Sequence, residues 1–279
     1  MNYTTLIQVG QLAENLERPD WRVIDCRHDL AKPDAGLHAY NEAHISGALF
    51  MHLDRDLSGV KTGGNGRHPL PEAVDLAKAL GNCGISNDAQ VIAYDDAGGM
   101  FAARLWWLLR WLGHSRVAVL DGGLTAWLSS GKTLTSRVEQ STPREFTYRI
   151  DQPTIDSDAL FQLLHQDSHL IVDARAPDRF RGENETLDPV GGHIPGAVNR
   201  FFKDNLTPSG RFKSAAQLRE EFSALLQGRD CANVVSQCGS GVTACHNLLA
   251  MEIAGFCGAR LYPGSWSEWC SESSRPVAR

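Results

Sequence analysis

No run of apolar residues in this 279-residue chain approaches the roughly 20 needed to cross a bilayer as a helix, so no membrane span is expected. A basic domain or tract is also missing, and the formal net charge is −6. That balance argues against nucleic acid or an acidic membrane surface as the main partner. The opening Met1-Asn2-Tyr3-Thr4-Thr5 lacks the basic region and apolar block of a secretory leader. No Cys-x-x-Cys pair occurs, which takes away the usual support for structural zinc. Seven cysteines, an odd count without a leader, do not suggest a disulfide framework. These absences lead to the expectation of a soluble cytoplasmic chain with reduced thiols, needing neither metal nor organic cofactor.

What is present is a full complement of core-forming residues, 42% apolar, and one loop with chemical character. The apolar run Asn233–Gln237 predicts a buried strand, Cys238-Gly239-Ser240-Gly241-Val242-Thr243 a short loop, and Ala244–Ala254 a helix. Loop amides and the positive end of a helix dipole favour negative charge where the sulfur would sit, which suits a nucleophilic thiolate. Gly239 and Gly241 permit the unusual backbone angles and close approach that such a loop needs.

The chain also repeats itself. Val23-Ile24-Asp25-Cys26-Arg27 matches Ile171-Val172-Asp173-Ala174-Arg175, and Ala43-His44-Ile45-Ser46-Gly47-Ala48 matches Gly192-His193-Ile194-Pro195-Gly196-Ala197. Val91–Asp95 matches Val234–Cys238, and Asp121-Gly122-Gly123 with Trp127 matches Pro263-Gly264-Ser265 with Trp269. Four blocks in the same order, 142 to 149 residues apart, describe two copies of one unit. Buried strands alternating with helices, such as the one expected over Phe101–Leu112, predict an α/β fold with a mainly parallel sheet in each copy. The Ser-, Thr- and Pro-rich stretch 131–154 is expected to be a linker. Asp95 stands where the second copy has Cys238, so one copy is expected to be active and the other a scaffold.

Ala259-Arg260-Leu261-Tyr262-Pro263-Gly264-Ser265-Trp266-Ser267-Glu268-Trp269 resembles, at every position, the C-terminal signature of the tandem-domain rhodanese family of thiosulfate and 3-mercaptopyruvate sulfurtransferases. Tyr40–Met51 resembles the N-terminal signature, with Ser46 where proline is usual. The resemblance covers residues 10–130 and 155–275. It implies an inactive N-terminal domain at 1–130 with Asp95 at the cysteine position, a linker at 131–154 and a catalytic domain at 155–279. It further implies that Cys238 carries a sulfane sulfur as a persulfide. A small anionic donor would supply it, and cyanide or a thiol, including a thioredoxin-like one, would accept it.

The donor is read from the residues around the cysteine. Family members that take thiosulfate commonly have basic residues after the cysteine, whereas mercaptopyruvate enzymes resemble Cys-Gly-Ser-Gly-Val-Thr, the form found here. Ser240 is expected to hydrogen-bond donor or leaving group, and Arg179 aligns with a family arginine that binds the substrate anion. Against this, 183–190 has no second arginine and is acidic. Both donors stay open, with a lean to mercaptopyruvate; a thiosulfate:cyanide enzyme or a persulfide relay serving a protein partner is the alternative. A cysteine phosphatase would need Cys-x5-Arg, and Ala244 occupies that place. His193 reads as structural, since its block appears in both copies. His44 could face a cleft between the copies, and Trp266 could lie near the active loop. Cys245 and the other cysteines, His246, Arg175 and Arg181 read as structural.

Overall fold

The computed structural model describes residues 2–164, 166 and 168–279. Two compact units divide the chain: Met1–Gly59, Pro71–Asp151 and Pro208–Arg211 form one, and Val60–Leu70, Gln152–Thr207 and Phe212–Arg279 the other.

The first unit contains β1 (Leu6–Ile7), α1 (Val9–Ala13), β2 (Trp21–Asp25), α2 (Ala35–Glu42), β3 (Ala48–Phe50), α3 (Ala73–Asn82), β4 (Gln90–Tyr94), α4 (Ala102–Trp111), β5 (Val117–Leu120) and α5 (Gly123–Ser129). Its strands pair in parallel in the order β1-β5-β4-β2-β3. Every residue of β4 and β5 is buried, as strands covered on both faces must be.

The second unit contains α6 (Ser157–Leu163), β6 (Leu170–Asp173), α7 (Pro177–Phe180), β7 (Val198–Asn199), α8 (Ala215–Leu226), β8 (Val234–Gln237), α9 (Thr243–Ile253), β9 (Arg260–Leu261) and α10 (Ser265–Trp269). Its parallel sheet runs β7-β6-β8-β9. In reverse this order is β9-β8-β6-β7, the counterpart of β5-β4-β2-β3, so the sequence repeat is a repeat of topology. The α/β fold of two parallel sheets flanked by helices is as expected.

Side chains repeat as well. The Arg27 guanidinium donates to Asp25 and to the carbonyl of Ala43, and that of Arg175 donates to Asp173 and to the carbonyl of Gly192. Each fork ties the end of a strand to the His-Ile block that follows it.

Expected elements start or stop one residue from their observed ends. The strand expected from Asn233 begins at Val234, because Cys231–Asn233 forms a 3-10 turn in which Asp230 accepts from the Ala232 amide at 2.9 Å. The helices expected over 101–112 and 244–254 form over Ala102–Trp111 and Thr243–Ile253.

Residues 131–154 hold no helix or strand beyond isolated bridges at Thr135 and Thr154. Most of the stretch lies along the first unit rather than standing free. The Arg144 amide donates to Gly81 and the Asp151 amide to Trp111. Residues 60–70, inside the expected N-terminal domain, instead belong to the second compact unit. There the Gly66 backbone lies against Gly264, where a Cβ on Gly66 would come within 2.7 Å of the Gly264 carbonyl oxygen.

Candidate active site

β8 delivers the chain to Cys238 at the carboxyl end of the second sheet, the place where parallel sheets bind ligands. The turn from strand to α9 is fixed from both sides. Ser236 Oγ donates to the Ala244 carbonyl across it at 3.1 Å. On the other side, the Cys238 amide donates to Ser265 Oγ at 3.0 Å, the Trp266 amide to the Cys238 carbonyl at 2.9 Å and the Ser267 amide to the Gly239 carbonyl at 3.0 Å. The C-terminal signature is therefore a brace for the loop. Ser265 does this in a left-handed conformation, φ 54°, uncommon for a residue with a side chain.

Within the loop Cys238 is 2% exposed, and its Sγ faces the amide nitrogens of Ser240 at 3.5 Å and Gly241 at 3.1 Å. Gly241 has φ 76°, and a Cβ there would lie 2.4 Å from the Pro263 carbonyl oxygen, so the position requires glycine. Val242 and Thr243 are buried at the entry to α9, whose dipole points its positive end at the sulfur.

The first copy shows what such a turn binds. Between β4 and α4, the Asp95 carboxylate accepts from the amides of Ala97, Gly99, Phe101 and Ala102 at 2.7–2.9 Å. Burial pushes this carboxyl above its ordinary range, and the four amides oppose that shift. The repeated strand–turn–helix is thus an anion cradle, filled in one copy by a carboxylate and lined in the other by a cysteine sulfur.

Above Gly239 two guanidinium groups converge. A Cβ on Gly239 would lie 2.7 Å from Arg67 Nη2 and 3.6 Å from both terminal nitrogens of Arg179. Arg179 donates through Nε and Nη2 to Glu185 at 2.9–3.1 Å and through Nη2 to Asp188 at 3.4 Å. Asp188 is also ion-paired with Arg67. Burial drives the Asp188 carboxyl up, opposed chiefly by Arg67. The acidic stretch that lacks an arginine in the sequence therefore serves as a counter-ion set for Arg67 and Arg179, and Glu185 also lies 3.6 Å from Arg175. Below them, the Arg175 guanidinium lies over the Trp266 ring at 4.7 Å and pairs with Asp173, a structural role as expected.

Beside the sulfur, Ser240 Oγ lies 2.7 Å from His68 Nδ1 in a buried pair. Trp266 is next to the loop through its backbone, while its indole is fully buried and donates to the Val190 carbonyl at 2.9 Å.

His44 requires a correction. It is fully buried in the first unit, stacked on Tyr40 at 4.1 Å, with its ring nitrogens on the carbonyls of Tyr40 and Arg137. His193 repeats this in the second unit, stacked on Phe180 at 3.8 Å with Nδ1 on the Phe180 carbonyl. One arrangement in both copies marks a bracket for the fold, and His44 has no open side from which to serve a cleft.

Sequence reasoning missed Arg67, His68, Asp188 and Ser265. The first two sit in Gly63-Gly64-Asn65-Gly66-Arg67-His68-Pro69, a glycine-rich stretch with no apolar periodicity. An Arg-His pair with no local structural purpose was the available signal. Burial pushes the Cys83 and Cys270 thiols up to about 11, and Cys26 well above its ordinary value. Cys245, fully buried on α9, donates to the Gly241 carbonyl at 3.3 Å. His28, His52 and Asp54 bring potential metal-ligand atoms within 4.8 Å of one another. The His52 ring is already engaged, with Nε2 on the Pro33 carbonyl and Nδ1 taking the Asp54 amide, which leaves it poorly suited to a metal.

Comparison with known proteins gives the family. The rhodanese-like domain model matches the chain twice, over residues 8–130 and 156–272. A probable 3-mercaptopyruvate sulfurtransferase of Pseudomonas aeruginosa is 50% identical, covering 100% of this chain and 99% of that protein. A putative thiosulfate sulfurtransferase of Mycobacterium tuberculosis is 38% identical over 98% of this chain and 96% of its own length. The solved structure of 3-mercaptopyruvate sulfurtransferase from Leishmania major superposes with a TM-score of 0.84 at 30% identity, covering 95% of this chain and 74% of that one. With two matched rhodanese-like domains and relatives of this similarity along its length, the chain belongs to the rhodanese family of sulfurtransferases.

Proposed function

We propose that the protein takes the sulfur of 3-mercaptopyruvate onto Cys238 as a persulfide and passes it to cyanide or a thiol, including a thioredoxin-like protein thiol, in the cytoplasm. The Cys238 thiolate attacks the donor sulfur, an S–S bond forms and the C–S bond breaks. The electron pair of that bond leaves as the enolate of pyruvate, which takes up a proton, and no outside oxidant is needed. The acceptor then attacks the outer sulfur and the thiolate returns, a two-step covalent route with ping-pong kinetics. Residues 155–279 supply the nucleophile, while the first copy is inactive because Asp95 fills its cradle.

The observation that carries this reading is the loop itself: Cys238 Sγ in an amide cradle, with two guanidiniums over Gly239 and the Ser240–His68 pair alongside. The guanidiniums suit the donor carboxylate. The serine and histidine suit delivery of a proton to the enolate. The similarity to the mercaptopyruvate enzymes of Pseudomonas aeruginosa and Leishmania major supports the choice of donor.

The test is intact-mass measurement after incubation with 3-mercaptopyruvate and, separately, with thiosulfate. The expected result is a gain of one sulfur atom, faster with mercaptopyruvate and erased by cyanide. No gain with either donor would remove the enzyme reading and leave a protein loaded by another enzyme. Ser240→Ala is expected to slow mercaptopyruvate turnover by about a hundredfold, as for loss of a proton-transfer group, and to affect thiosulfate far less, since sulfite departs without a proton. Steady-state rates with both donors check this, and an equal loss would deny the proton role. Arg179→Ala is expected to raise KM for mercaptopyruvate by about tenfold to a hundredfold, the loss of a charged hydrogen-bonding group of ~1.5–3 kcal/mol. An unchanged KM in a folded variant would make Arg179 a structural residue.

A further inference from the structure

Two arginines beside a nucleophilic cysteine would ordinarily make a strongly cationic pocket that prefers the most highly charged anion. Here they do not stand as two unbalanced cations. Asp188, whose side chain is 3% exposed, pairs with Arg67 and lies 3.4 Å from Arg179. Glu185, 4% exposed, holds the other edge of Arg179. Arg175 also reaches Glu185, at 3.6 Å, and pairs with Asp173, so three guanidiniums meet three buried carboxylates, and the nitrogens closest to Gly239 are Arg67 Nη2 and the terminal nitrogens of Arg179. Asp188 takes Nη1 of Arg67, and Glu185 takes Nε and Nη2 of Arg179. What faces the loop is directional N–H capacity with little net charge.

We infer that Asp188 is a specificity-determining residue: by bridging Arg67 and Arg179 it spaces their N–H groups for one carboxylate and cancels the charge that would otherwise favour a dianion such as thiosulfate. The inference rests on the proposed donor site and extends it. The bridge sets the distance between the two forks, and a singly charged 2-oxo acid keeps most of its binding through hydrogen bonds. A dianion relies on Coulomb attraction, which Asp188 opposes at close range, twice as strongly for two charges as for one. The acidic stretch, which in the sequence counts against an anion site, is in this reading the selectivity device.

The experiment follows protection of Cys238 from iodoacetamide, quantified by peptide mass, with sulfate as the dianion and pyruvate as the monoanion. In Asp188→Asn, protection by sulfate is expected to strengthen by about tenfold and protection by pyruvate by about threefold or less. Asp188→Glu, which keeps the charge, is expected to hold the wild-type ratio of the two. Equal strengthening for both anions, or weaker protection by both, would overturn the inference and make Asp188 a purely structural counter-ion. If Asp188→Asn does not fold, the wild type decides: sulfate should protect no more than about ten times as strongly as pyruvate, and a larger preference would overturn the inference. Alkylation requires no sulfur transfer. A protein that gained no sulfur from either donor would therefore overturn the proposed function separately, whatever the anions showed.

Discussion

Replacing Cys238 by serine is expected to leave a folded protein whose sulfur transfer is slower by at least about a thousandfold, since the step that forms the covalent intermediate is lost. The fold should survive because the sulfur makes few structural demands. It is met by the amides of Ser240 and Gly241, and a serine oxygen in the same place accepts both. The loop is held instead by its backbone, through the Cys238 amide on Ser265 Oγ and the Cys238 and Gly239 carbonyls on the amides of Trp266 and Ser267. Thermal unfolding should match the wild type within a few degrees, while turnover and the mass gain of one sulfur both disappear. Activity near the wild-type level would sink the mechanism and send the search to another thiol. Other thiols offer poor substitutes, with half-buried Cys83 and buried Cys270 pushed up to about 11 by desolvation.

Gly241→Ala should have the next largest effect, and it acts on both chemistry and stability. An alanine at φ 76° costs about 1–2 kcal/mol from backbone sterics alone. Its Cβ would also lie 2.4 Å from the Pro263 carbonyl oxygen, so the loop or the C-terminal signature must move. The amide that would be displaced is the one nearest the sulfur, at 3.1 Å. A fall in kcat/KM of about a hundredfold is expected, with ~2–4 kcal/mol lost from stability. Denaturant midpoints and steady-state rates measure the two effects separately. If both stayed within twofold of the wild type, the cradle would not have the geometry described. A glycine without these constraints, such as Gly10, which has nothing within 4 Å of a Cβ, is the matched control.

Both predictions draw on features at different distances in the chain, and this decides how legible they were. The candidate nucleophile Cys238 and its loop could be placed from sequence because a strand, a loop and a helix are contiguous, and local periodicity and glycine placement specify all three. The repeat was legible for the same reason: each copy uses the same buried strands, and even the Asp25–Arg27 and Asp173–Arg175 forks are separated by one residue. The structural role of His193 could be argued from the repeat, and applying that argument to His44 would have given the arrangement observed.

The surroundings of the nucleophile were not legible. Arg67 and His68 are separated from Gly239 and Ser240 by more than 170 residues, in a stretch with no periodicity, and they reach the loop because residues 60–70 fold with the second unit. That Asp188 pairs with both Arg67 and Arg179 depends on a salt-bridge geometry that one-dimensional spacing does not contain. The sequence by itself determined the α/β repeat, the cysteine and its amide loop, because these follow from contacts between near neighbours in the chain. Tertiary structure alone decided which charged and hydrogen-bonding groups surround Cys238 and how they are paired. Those groups come from distant segments, and electrostatic and hydrogen-bond energies depend on their separations in space.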